Sequence, residues 1–133
     1  MKYTCRHPFL KSTRYRLLKY RGCRVDLDLF DDLLALRDTL PKGMKTCGAV
    51  CSFNLRERHV VIGLPRPPVY TSLGHETWHA VIALRRMLAR NAYWRSLSLA
   101  AREERLADLN GRIINEVCGV VAKEENEKVS SGS

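Results

Sequence analysis

Two histidines four residues apart, with a glutamate directly after the first, constrain this chain more than any other feature: His75-Glu76-Thr77-Trp78-His79. On an α-helix, residues i and i+4 lie one turn apart on the same face. Their imidazole nitrogens can therefore converge on a single ion. Glu76 then faces the same cleft, placed to take a proton from an attacking water. H-E-x-x-H on a helix is the signature of zinc hydrolases, in which the helix supplies two ligands and the general base.

The surrounding pattern predicts that helix. Thr71 or Ser72 is expected to cap it, and it should run to about Arg90. Leu73, Trp78, Val81, Leu84 and Leu88 are expected to form its packing side, with His75, His79 and Ile82 on the opposite stripe. Zinc in a catalytic site takes three protein ligands and keeps a fourth position open, so a third donor is needed. A later histidine is excluded, because none follows His79, and the positions three and six residues beyond it are Ile82 and Arg85.

Downstream carboxylates remain, and the acidic pair Glu103-Glu104 with Asp108 stands out. With Leu106 and Leu109 facing the core, Glu104 and Asp108 share one stripe, and Glu103 lies about 100° round from Glu104. The expectation is Glu104 as third ligand and Asp108 as the outer partner that fixes a histidine tautomer, with Glu103 as competitor. The gap of 25 residues from His79 to Glu104 fits a helix end, a turn and a return. Tyr93 and Tyr70 are candidates to stabilise an oxyanion or touch substrate, although each also reads as an ordinary packing tyrosine. His59 reads as structural.

Around this centre the chain divides as follows. Residues 1–13 lack periodicity and read as a basic irregular arm; residues 14–125 read as a single domain, and 126–133 as a disordered tail. Tyr15 to Leu29 alternates as one strand, and Phe30 to Leu40 recurs at helical spacing behind Asp28 as N-cap. Thr46 to Phe53 and Arg58 to Leu64 read as two strands of a hairpin, stopped by Pro65, Pro67 and Pro68. A second long helix is expected over roughly Leu99 to Lys123. The fold expected is α+β: a short sheet of about three strands, an N-terminal helix and two long helices carrying the metal site.

Composition narrows the setting. No apolar run reaches the roughly 20 residues that span a bilayer, and the first 18 residues lack the apolar core of a signal peptide. Five cysteines without a framework pattern favour reduced thiols. Joining Cys47 and Cys51 to Cys5 and His7 would make a second zinc site, but that spacing is wrong for a zinc knuckle. A cytoplasmic location and no membrane partner are expected. The net charge is +9, and the first 25 residues hold eight Lys or Arg and no acid. Such an arm can meet nucleic acid or an acidic protein, or can be a solvated surface.

With these residues placed, His59 to Val121 resembles a group of small, mostly phage- and prophage-encoded zincin-like proteins. The likeness lies in His59-Val60-Val61-Ile62-Gly63-Leu64, in Pro65 to Pro68, in Leu73-Gly74-His75-Glu76-Thr77-Trp78-His79-Ala80 and in Glu103-Glu104-Arg105-Leu106-Ala107. It also resembles the gluzincin pattern of thermolysin-like peptidases, which implies zinc on His75, His79 and Glu104 with Glu76 as base. Asp108 departs from the phage group, where an aromatic is expected, and suits the gluzincin outer shell. The resemblance implies a zinc metallopeptidase acting on a peptide or protein substrate, in the host cytoplasm if phage-encoded. The competing expectation is a non-catalytic zinc-containing protein that engages nucleic acid or a host protein through its basic surface.

Overall fold

The spine is Val25, Leu27 and Leu29 lying beside Val60, Ile62 and Leu64, on two adjacent strands that run in the same direction. All six side chains are buried beneath two long helices. The computed structural model describes residues 4–44 and 47–132, with side chains through residue 127. Its strands are β1 (Thr4–His7), β2 (Ser12–Tyr20), β3 (Cys23–Phe30), β4 (Val50–Asn54) and β5 (His59–Pro65). The helices are α1 (Leu33–Asp38), α2 (Tyr70–Leu88), α3 (Ala92–Ser96) and α4 (Leu99–Gly132), and one 3-10 turn covers Lys42–Met44.

The five strands form one mixed sheet in the order β1-β2-β3-β5-β4, with only the β3–β5 pair parallel. This corrects the expected three-stranded sheet. The supposed arm contributes β1 and the start of β2, while Met1 to Tyr3 lie outside the described residues. The single strand expected from Tyr15 to Leu29 is a hairpin. Arg21 and Gly22 both take positive φ, 49° and 83°, which is the backbone a two-residue turn needs to match strand twist.

The expected N-terminal helix is instead a six-residue α1 that follows three strands. Its N-cap is Asp32, which accepts from the Ala35 amide; Asp28 lies inside β3 and is paired with Arg14. The hairpin of β4 and β5 falls where it was expected, although Thr46 lies outside the described residues. α3 occupies the expected connection, and α4 continues to Gly132 through residues read as a tail; Ser133 lies outside the described residues.

α2 packs over β3, β5 and β4, whereas α4 packs beside α2 and over β2. Burying these apolar faces at roughly 25 cal/mol per Å² supplies the main stabilisation. On the other face α1 covers a small cluster of Phe30, Ala35, Leu36 and Leu40. The rest of that face is a ladder of charges: Arg14 holds Asp28 with two hydrogen bonds, and Asp26 accepts from Arg16 and lies 2.6 Å from His59 Nε2. Arg6 holds Asp31 in the same two-point manner. Arg6 of the presumed arm, with Arg14 and Arg16 just beyond it, is thus neutralised by acids of β3 and its end. No helix among the described residues is long and apolar enough to cross a membrane.

Candidate metal centre

α2 forms because buried, mostly apolar residues recur at three- and four-residue spacing from Leu73 through Thr77, Ala80, Val81, Leu84 and Leu88. Its first residue follows Val69, which has no side-chain cap, so the expected capping by Thr71 or Ser72 is replaced by backbone geometry alone. Trp78, expected inside, is 59% exposed. It sits on the flank away from the buried stripe. The helix is held by packing.

On its outer stripe the histidines converge. His75 Nε2 and His79 Nε2 stand 3.0 Å apart, with the rings inclined at 75°. Two nitrogens bound to one tetrahedral zinc at about 2.05 Å would lie roughly 3.3 Å apart. The separation is that of a hydrogen-bonded pair and lies about 0.3 Å inside that spacing, so a small opening of the rings would admit a single ion. Glu76 turns inward, is 8% exposed, and places Oε1 4.0 Å from His75 Nε2.

These three side chains line one wall of an open cleft of about 430 Å³, and β4 with the segment before it forms the other. From that wall come Cys47, Cys51, Val50 and Phe53. Burial, with the nearby Glu76 charge adding to it, pushes the Cys51 thiol up to about 12. Arg86 closes the far end. The sequence carried a signal for it: positions 75, 79, 82 and 86 continue one i, i+4, i+7, i+11 stripe.

The carboxylates expected to complete the centre are elsewhere. Glu104 is exposed on α4 and does not line the cleft; Asp108 lies against Tyr20, and Glu103 against Ile82, Arg85 and Arg86. The cause is register. α2 runs nine residues beyond His79 to Leu88, and the connection to α4 is short. The start of α4 therefore meets the end of α2, about 13 Å past His79 at 1.5 Å per residue. Asp108 comes further along but faces β2, on the opposite flank of α2 from the histidines. Among the described residues, no three His, Cys, Asp or Glu side chains are grouped closely enough to share a metal ion. His75 and His79 could hold an ion from one side only, and the expected third ligand does not join them.

Neither tyrosine lines the cleft. Tyr93 is packed beneath the Arg21 guanidinium at 3.7 Å, and its hydroxyl accepts from Arg105. Tyr70 opens α2, about 140° round the helix from His75. His59 is bound to Asp26 on the far face of the sheet. Cys5 and His7 sit on β1, at the opposite edge from β4. Four strand spacings of about 4.8 Å separate them from Cys51, which removes the second zinc site; all five cysteines are free.

Comparison of the chain with protein-family models, with curated proteins and with solved structures found no match, so the histidine cleft stands on its own geometry.

Proposed function

We propose that this protein is a zinc-dependent hydrolase of the zincin-like kind, acting on amide bonds of a peptide or protein at the cleft between α2 and β4. The observation that carries the reading is the 3.0 Å approach of His75 Nε2 to His79 Nε2. They would hold the ion from one side. Zinc there would supply Lewis acidity towards a substrate carbonyl and the attacking water.

The chain's own contribution is a base held in place. Glu76 lies on the floor of the cleft, its backbone fixed within α2 and its side chain largely out of water. In this position it takes a proton from the attacking water and returns it to the leaving amine, a contribution of about 10²–10⁴ in rate. β4 is the edge strand of the sheet and forms the opposite wall. Its outer backbone groups are available to an extended substrate chain.

The missing carboxylate favours a second reading, a zinc-binding protein without catalysis. Glu76→Gln separates the two. With zinc-loaded protein and a fluorogenic casein substrate, cleavage should fall by at least about 10²-fold while zinc is retained. Cleavage that survives the substitution, or zinc retention with no cleavage by the wild type, would refute the hydrolase reading.

A further inference from the structure

Of the eight basic residues in the first 25, Arg6, Arg14 and Arg16 are paired with aspartates. A cluster of unpaired charge sits at the end of the molecule where the β2–β3 and β4–β5 turns meet the C-terminal end of α2. There, Arg56, Arg58, Arg86 and Arg90 line one open cleft of about 670 Å³. An adjoining hollow shares Arg86 and adds Arg85, Arg95 and Arg102. The β2–β3 turn joins them, since a Cβ on Gly22 would lie 3.2 Å from Arg58 Nη1. Every cation lining the two hollows is arginine.

Among the described residues, none of these seven forms an ion pair. Arg102 donates to the carbonyls of Trp94 and Arg95, which leaves its charge unbalanced. Glu103 also lines the second hollow, so the two hollows together hold seven arginines against one carboxylate. Holding so many guanidinium groups together costs stability through mutual repulsion. A polyanion would relieve it.

We propose that this arginine-lined end binds the phosphodiester backbone of a nucleic acid. The guanidinium fork matches phosphate oxygens with two parallel hydrogen bonds, which an ammonium cannot do. Aromatic rings are interleaved with the charges: Arg86 lies over Phe53 at 5.4 Å, and Arg21 and Arg105 both lie over Tyr93. Phe53, exposed beside Arg86, offers a face on which a base can stack, whereas Tyr93 is already engaged by Arg21 and Arg105. An acidic polypeptide would satisfy the charge but would make no use of the Phe53 ring. The proposal is independent of the metal reading, because of these arginines only Arg86 also touches the histidine cleft.

The test is fluorescence anisotropy with a labelled single-stranded DNA oligonucleotide, titrated between about 50 and 200 mM salt. If the four arginines of the first cleft each meet a phosphate, the log–log salt slope should be about −3. Arg56→Glu with Arg90→Glu should weaken binding at least tenfold and roughly halve the slope. Arg56→Gln with Arg90→Gln should fall between the two. Lys42→Glu with Lys123→Glu makes the same change in net charge on exposed residues outside both hollows and should leave affinity within twofold. Equal losses in both glutamate pairs would reduce the effect to bulk charge and overturn the proposal. So would the absence of binding at low salt, or displacement of the DNA by polyglutamate as readily as by unlabelled DNA.

Discussion

Gly63 on β5 and Val50 on β4 are directly paired, and they approach so closely that a Cβ on Gly63 would lie 2.8 Å from Val50 Cγ1. The same Cβ would meet Phe30 Cε2 at 3.2 Å. Absence of a side chain at this position lets the edge strand and the Phe30 cluster close together. Val50 also lines the histidine cleft from the β4 side.

Gly63→Ala should therefore destabilise the fold by about 1–3 kcal/mol, the usual cost of overpacking. Urea denaturation followed by circular dichroism measures it. The loss should be partly recovered in the double variant with Val50→Ala, which removes the methyl group in the way.

Acid stability should depend on Glu124. Burial pushes its carboxyl up, but hydrogen bonds from Arg66 and Tyr15 outweigh this and hold it below its ordinary 4.5. A carboxylate lowered on folding stabilises the native state above its unfolded pKa, and that contribution fades as pH falls through the folded value. The cluster ties α4 to β2 and to Arg66. The melting temperature of Glu124→Gln should start lower at neutral pH and fall less steeply below about pH 4.5 than that of the wild type.

Cys51 should be chemically quiet despite lining an open cleft. With its thiol near 12, little thiolate exists at neutral pH, and alkylation requires the thiolate. Iodoacetamide labelling read by mass spectrometry should modify Cys51 roughly 50-fold more slowly than an ordinary exposed thiol, after allowing for the greater nucleophilicity of a more basic sulfur.

Elements whose signals are local were legible in the sequence. The apolar run of β5, the hairpin it forms with β4 and the amphipathic stripe of α2 all lie close to where the sequence pattern puts them. The β2–β3 hairpin was hidden because Arg21-Gly22 lacks the usual Asn or Asp, and because Arg14, Arg16, Asp26 and Asp28 read as solvated charge. Their pairing across strands 10 or 14 residues apart in sequence is visible only once the sheet is formed. The same long-range pairing explains how a basic arm became β1 and β2.

The histidine pair was legible for the same reason as the helix that bears it: i and i+4 are neighbours on any helix. The third ligand was not, since the position of Glu104 depends on where α2 ends. Periodicity fixes the face of a helix but says nothing about how far its partner slides along it. α2 ends at Leu88, close to the expected Arg90, but α4 begins beside that end rather than returning along the helix, so Glu104 does not come back to the histidines. Arg86 was within reach of sequence reasoning, one step further along the stripe already traced through Ile82.

The most direct test is zinc content, measured by inductively coupled plasma mass spectrometry after equilibrium dialysis of wild type, His75→Ala, His79→Ala and Glu104→Ala. The wild type should carry about one zinc per chain, as expected for a catalytic site; both histidine variants should lose it, and Glu104→Ala should keep it. Zinc absent from the wild type, or retained equally when either histidine is removed, would contradict the metal centre built on His75 and His79.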